Sequence, residues 1–212
     1  MKYKIITNST NILRNEFLSI VENPTSAKDW LDTFDEAEFV ICLTTSNQLS
    51  KSYEYAIEAK HIYENEHKNY KVLVVDSYSC GPEIHLLTQK VSELIHSNKT
   101  YIEIRNTIMD YRQKTHLFFI QRSKLGFHIL GKANYDGNLI SIKKCMSLKH
   151  LYKEITSAGY QGGRFIVSHT GNVKLAQKIK KHFENDLIEI TEMDYLCSSL
   201  LKKDGILLGF EI

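Results

Sequence analysis

Short apolar runs alternate with longer, helically patterned stretches through the first half of the chain. Lys4-Ile5-Ile6-Thr7, Phe39-Val40-Ile41-Cys42-Leu43 and Val72-Leu73-Val74-Val75 are β-branched or apolar runs that each end in a polar turn. Between and after them, Ser26 to Phe34, Leu49 to Tyr63, Leu86 to Ile95 and Tyr101 to Tyr111 carry apolar side chains at helical spacing. Strands that are apolar throughout are buried on both faces and therefore mostly parallel, and parallel neighbours need crossover helices. The first half predicts a doubly wound, mostly parallel sheet. Such sheets bind ligands at the carboxyl ends of their strands.

The second half reads differently. Leu117 to Ile120, Phe127 to Leu130 and Leu139 to Ile142 are close-set strands, the last two joined through Asn134-Tyr135-Asp136-Gly137. Asp-Gly between apolar runs signals a hairpin. A helix near Leu148 to Ser157, a strand at Phe165 to Ser168, a helix near Val173 to Phe183, and strands at Leu187 to Ile190 and Ile206 to Phe210 follow. The expected fold class is α/β, as two α/β lobes: a parallel lobe over residues 1–114 and a mixed lobe over residues 115–212. Two lobes in sequence imply a cleft between them.

Hydroxyl-bearing residues concentrate where the sheet argument places a ligand. The first three strands end in Thr7-Asn8-Ser9-Thr10, Thr44-Thr45-Ser46-Asn47-Gln48-Leu49-Ser50-Lys51-Ser52 and Asp76-Ser77-Tyr78-Ser79, with Asn23-Pro24-Thr25-Ser26 between the first two. Short donors and acceptors beside helix N-termini suit a carboxylate or phosphate. The candidates are Ser9, Thr25, Ser26, Ser46, Ser50 and Ser77. His169, which follows an apolar strand, is a seventh. Helix capping by Ser, Thr and Asn is the competing structural explanation at every one of these turns.

Composition narrows the classes. The 212 residues carry 27 basic and 25 acidic side chains, a formal charge of +2, with 42% hydrophobic and 25% charged residues. These are the proportions of a globular protein. Near-neutral charge, and 22 Lys against 5 Arg, disfavour a nucleic-acid partner. The basic runs Lys143-Lys144, Lys178 with Lys180-Lys181-His182, and Lys202-Lys203 read as solvated faces. The start of the chain does not read as a signal peptide, and no window approaches the ~18 apolar residues of a membrane span. Cys42, Cys80, Cys145 and Cys197 stand singly, without metal or redox spacing, so free thiols and a cytoplasmic location are expected. The nine histidines show no ligand spacing, and there is neither a Gly-x-Ser-x-Gly elbow nor a phosphate-binding glycine motif. No metal, no cofactor and no enzymatic activity are expected.

At the polar turns the sequence resembles the DegV family. Thr7-Asn8-Ser9-Thr10 is similar to its T-D-S-T opening, Thr25-Ser26 to the start of T-S-Q-P, and Leu49-Ser50-Lys51-Ser52-Tyr53 with Ala56 to L-S-G-T-Y…A. Val75-Asp76-Ser77-Tyr78-Ser79 is similar to I-D-S-K-S, and Leu117 to Ile120, Asp136 to Leu139 and Val167-Ser168-His169 follow in the family's order. The resemblance implies a two-domain α/β protein of the EDD fold that binds a long-chain fatty acid between its lobes. It implies that Thr25 and Ser50 hold the carboxylate, and that the bound acid is presented to a separate fatty acid kinase.

Several positions depart from that pattern. The C-terminal H-T-G-x-G is absent, with Leu200 to Asp204 in its approximate place and no histidine after His182. The arginine expected after the second-lobe hairpin falls near Met146, G-G-R-I is missing after the Leu117 strand, and Asn8 replaces an aspartate. The first lobe also lacks a stretch between Leu13 and Thr25 that such proteins use for an extra strand and loop. Two functions stay open: binding of a fatty acid or similar amphiphile, and an interaction or regulatory role for a relative that has lost its lipid.

Overall fold

The computed structural model describes residues 2–10, 12, 15–201 and 203–212. Lys202 of the last basic pair, and Leu13 at the start of the shortened stretch, lie outside the described residues. Four parallel strands, β1 (Tyr3–Thr7), β2 (Leu18–Ile20), β3 (Phe39–Thr44) and β4 (Lys71–Asp76), form one sheet in the order β2-β1-β3-β4. Alternate side chains of these strands feed two different cores, the reason the strands read as apolar throughout. Ile6, Val40, Cys42 and Val72 pack with Trp30, Phe34 and Tyr63 under α1 (Ala27–Leu31) and α2 (Ser52–Glu66). Ile5, Ile41, Leu43, Leu73 and Val75 face the opposite way, against α3 (Pro82–His96) and α4 (Tyr101–Arg112).

The remaining strands form a six-stranded mixed sheet. They are β5 (Thr115–Arg122), β6 (His128–Ala133), β7 (Leu139–Cys145), β8 (Phe165–His169), β9 (Ile188–Glu192) and β10 (Ile206–Glu211). Their order is β7-β6-β5-β10-β8-β9, antiparallel except for the β8–β9 pair. One face carries Phe118, Ile120, Phe165, Val167, Leu208 and Phe210. It is covered by α5 (Lys149–Ser157) and α6 (Val173–Phe183), whose Leu151, Ile155, Ala176 and Ile179 join that core.

The central helix α3 joins the two halves. It packs on β1 and β3 of the first sheet and on β5, β8 and β10 of the second, so it is buried on nearly every side from Pro82 to Thr88. Ile166 of β8 lies in the same core as Ile5 and Ile84. The sheets therefore share a helix layer, and the molecule reads helix, sheet, helix, sheet, helix. The start of α3 presses on β10 at Gly209, where a Cβ would stand 2.6 Å from Pro82 Cβ. Only glycine fits there.

Two elements escape the sequence pattern. β2 has three half-buried residues, too few for a period, yet it pairs with β1 from Ile5↔Leu18 to Thr7↔Ile20. The shortened stretch after Leu13 thus still supplies a strand. The second is α7 (Tyr195–Leu201), a seven-residue helix with Cys197 and Leu201 buried. Boundaries shifted elsewhere for local reasons. α2 starts at Ser52 because residues 46–50 close their own turn, Ser50 N donating to Ser46 O at 3.1 Å. α3 starts four residues before Leu86, at Pro82, whose fixed φ suits the first helical position.

Candidate functional site

The polar turns at the carboxyl ends of β1, β3 and β4 meet in one hydrogen-bonded network. Asn8, 9% exposed, lies at its centre. Its Oδ1 accepts Thr45 N at 2.9 Å, and its Nδ2 donates to Thr45 Oγ1 and Ser52 Oγ, both at 3.0 Å. Ser50 Oγ donates to Ser52 Oγ at 3.0 Å. The side-chain amide both donates and accepts, which an aspartate at this position could not do when ionised. The replacement of the family's aspartate is therefore absorbed by the network.

The third turn is joined to the second. Ser46 N donates to Ser79 O at 2.8 Å, and Asn47 N to Asp76 Oδ2 at 3.2 Å. Burial pushes the Asp76 carboxyl up, against the Tyr78 and Asn47 amides and Arg112, which favour its charge. Arg112 donates to Asp76 O at 2.8 Å and lies 4.5 Å over the Tyr78 ring. Ser77 turns inward, its Oγ donating to Ser79 O and accepting from Ser79 N, both at 3.1 Å.

The second sheet closes over these turns. Ser9 Oγ donates to Asp194 Oδ2 at 2.9 Å, and Asp194 Oδ1 caps α7 by accepting Cys197 N at 2.8 Å. The β6–β7 hairpin reaches Ser46 through Gly137 at φ +86°, where a Cβ would stand 2.1 Å from Ser46 Oγ and 3.1 Å from Tyr78 Cα. Cys80, Leu117, Phe119, Met193, Cys197, Leu201 and Leu207 form a buried apolar cluster in this seam, flanked by Leu49, Ala133, Leu139 and Leu200. Leu49 adjoins Ser50. Beside the cluster lies a pocket of about 10 Å³, bordered by Ser9, His85, Ser168 and Asp194, enough for one water. A wider groove of about 300 Å³ runs along the free edge of β4 between Tyr53 and Met109, reaching Asn47 and Gln48.

Of the seven candidates, Ser9, Ser46, Ser50 and Ser77 belong to these turns. Thr25 and Ser26 open α1 instead. Their amides donate to Asp29 Oδ2 at 2.7 and 3.0 Å, and Thr25 Oγ1 donates to the same oxygen at 3.1 Å. These bonds hold the exposed Asp29 carboxyl below its usual range. His169 is buried at the end of β8 in the second sheet, its Nδ1 without a hydrogen-bond partner among the described residues.

Sequence reasoning passed over three buried polar groups. Asp194 lies between Met193 and the start of α7, with no pattern to mark it. His85 sits on the face of α3 toward β9, with Nε2 3.5 Å from Glu189 Oε2. Burial holds its imidazole below the usual range, and Glu189 opposes that shift. Glu83, 4% exposed, is pushed up to about 7 by burial, against Ser79, Thr115 and Arg112. Acidic and imidazole side chains among the apolar positions of a helix could have flagged both. Among the described residues no group of three or more His, Cys, Asp or Glu could hold a metal ion, and no helix is long and apolar enough to cross a membrane.

Two α/β sheets sharing a helix layer, with hydroxyl-lined turns of the parallel sheet meeting the mixed sheet across an apolar seam, define the architecture. The chain belongs to the DegV family. The model of the family described as "Uncharacterised protein, DegV family" matches residues 22–124. A DegV domain-containing protein of Streptococcus gordonii is 33% identical over 214 residues, covering 88% of this chain and 76% of that relative. A DegV family protein from Eubacterium eligens, solved loaded with heptadecanoic acid, superposes with a TM-score of 0.90 at 24% identity, over 99% of both chains. The Streptococcus pneumoniae Fatty Acid Kinase (Fak) B3 protein, loaded with linoleic acid, does so with a TM-score of 0.88 at 26% identity, over 100% of both chains.

Proposed function

We propose that this protein binds a long-chain fatty acid non-covalently and presents its carboxylate to a partner kinase. The observation that carries the reading is the full-length likeness to the linoleate-loaded Fak B3 protein, within a shared family. Ser50, held by Ser52 and through it by Asn8, offers a half-buried hydroxyl to the head group, with Thr25 as its counterpart at the start of α1. The tail enters the seam that begins at Leu49 and continues past Leu139 and Phe119. Burying methylenes at ~0.8 kcal/mol each yields roughly 10 kcal/mol or more for a long chain, offset by the cost of parting the seam and immobilising the ligand. Each neutral hydroxyl adds on the order of 1 kcal/mol and mainly fixes orientation.

The ligand is carried, not transformed. The hydroxyls of Ser9, Ser50 and Ser77 bond to a carboxylate, a neighbouring hydroxyl and a backbone carbonyl, not to an imidazole that would activate them. The four free cysteines support a cytoplasmic site of action. A second reading keeps the fold and drops the lipid, leaving an interaction or regulatory role. The apolar side chains that fill the seam favour it, as does the Gly137 turn seated on Ser46. Native mass spectrometry of the purified protein, before and after delipidation and with added oleate, separates the two. A ligand-bound mass supports the first reading, and a single apo mass at saturating oleate supports the second.

A further inference from the structure

Two of the four cysteines share one cluster, although they stand more than a hundred residues apart in the chain. Cys80 closes the third polar turn, two residues before α3, and Cys197 lies on α7. Both are at most 1% exposed and share the seam cluster. A Cβ built on Gly81 would stand 3.1 Å from Cys197 Sγ, which places that sulfur beside the residue that follows Cys80. Cys42 and Cys145 sit in two other cores.

We propose that Cys80 and Cys197 are an oxidation-responsive dithiol that closes into a disulfide and staples α7 to the start of α3. The two ends of the staple differ in rigidity. Cys80 is fixed by α3, whose first turn is pressed on β10. α7 has seven residues, too few to be stable without packing. It is held by its buried Cys197 and Leu201 and by Asp194, through Ser9 and the Cys197 amide. The neighbouring Cys80 side chain and burial raise Cys197 well above the usual thiol range, so with α7 in place its thiol stays protonated and slow to react. Lifting of α7 exposes Cys197 to solvent and restores an ordinary thiol.

The oxidant is hydrogen peroxide or a peroxide of similar size. The exposed Cys197 thiolate attacks one peroxide oxygen, the O–O bond breaks, and the departing hydroxide takes up a proton to leave as water. When α7 settles back, the Cys80 sulfur attacks the Cys197 sulfenic acid. The S–O bond breaks, the S–S bond forms, and the Cys80 proton leaves with the hydroxyl as a second water. Two thiols lose two electrons and one peroxide gains them. The staple closes a loop of more than a hundred residues, which predicts a melting temperature higher by about 10 °C. It also holds α7 down.

The link is tested on delipidated protein without ligand, because both cysteines belong to the seam that the proposed tail enters. Reduced protein is treated with hydrogen peroxide, alkylated, digested without reduction and analysed by mass spectrometry. The expected product links the Cys80 and Cys197 peptides and leaves Cys42 and Cys145 alkylated. Melting rises by about 10 °C and reverts with dithiothreitol, and amide exchange across residues 197–201 slows at least tenfold. Cys80→Ala and Cys197→Ala each abolish the link and the rise. The oxidised and reduced wild type carry the test even where a variant folds poorly. Recovery of Cys80 and Cys197 unlinked after oxidation overturns the proposal. So does linkage to Cys42, Cys145 or another molecule, or a link that leaves melting and exchange unchanged.

Discussion

Asn8→Ala removes the side chain that ties the first polar turn to the second. Three bonds are lost, to Thr45 N, Thr45 Oγ1 and Ser52 Oγ. Two of the groups left behind can turn or rehydrate, but the Thr45 amide is buried with a 2%-exposed residue and has no room to do so. An ordinary hydrogen bond contributes ~1 kcal/mol, and a buried donor left unpaired costs ~1–3 kcal/mol. The sum is about 3 kcal/mol. At ~2–4 °C per kcal/mol for a chain of this size, melting falls by about 6–12 °C. Thermal unfolding followed by circular dichroism, with urea denaturation at fixed temperature, measures it. Asn8→Asp is the companion, because its oxygens still accept from Thr45 N and from the two hydroxyls turned toward it. It should recover at least half of the loss. A drop below 2 °C for Asn8→Ala would refute the network, and an aspartate as damaging as alanine would show that accepting from Thr45 N is not what the position mainly supplies.

Three further outcomes follow from the same geometry. Glu83, raised to about 7 in the folded protein against an ordinary 4.5, binds its proton more tightly folded than unfolded. Its contribution is fully present below about 4.5 and is lost as pH rises through about 7, a fall of roughly 3 kcal/mol that Glu83→Gln should abolish in urea titrations across that window. Gly137→Val places a branched side chain where Ser46 Oγ already stands and where φ is positive. It should destabilise the fold by ~2–4 kcal/mol, whereas Gly126→Val at an exposed positive-φ turn with open space around it should cost ~1–2 kcal/mol; equal costs in a denaturation series would show that the hairpin does not bear on Ser46. Ser50→Ala combined with Thr25→Val should weaken oleate binding about 30-fold, from two contacts of ~1 kcal/mol each, and unchanged affinity in a fluorescent-acid displacement assay would move the head group elsewhere.

The strands of the first sheet were legible because both faces are buried. Continuous runs such as Val40 to Leu43 leave little choice of element. β2 was not, since Leu18–Ile20 holds no period and forms only because β1 offers a free edge. α7 was missed for a related reason: Tyr195–Leu201 has two serines and only two buried positions, and what stabilises it comes from the Asp194 cap and the apolar seam. The two-lobe division concealed the role of α3. Its sequence is amphipathic enough to read as a crossover helix, but burial of Glu83 and His85 on the side turned to the second sheet exists only once that sheet is in place.

The candidate site divides along the same line. Hydroxyls at strand ends were readable as a group, and Ser9, Ser46, Ser50 and Ser77 do lie in neighbouring turns. Which of them face a partner was not readable. Ser9 meets an acid 185 residues away, and Ser77 satisfies its own turn. Thr25 and Ser26 open α1 against Asp29, so the capping explanation weighed from the sequence describes their contacts. Asn8 was marked only as one departure from the family pattern, an asparagine for an aspartate, and its meaning depends on Thr45 and Ser52 coming within 3.0 Å.

The central claim is that the seam between the sheets opens to a fatty acid. Native mass spectrometry of delipidated protein titrated with oleate tests it most directly, with Phe119→Trp in the seam as a second, fluorescent reading of the same event. The account predicts one saturable oleate per chain, with a shift in the emission of the introduced indole over the same concentration range. An apo mass unchanged at saturating oleate, with fluorescence unmoved, would contradict it.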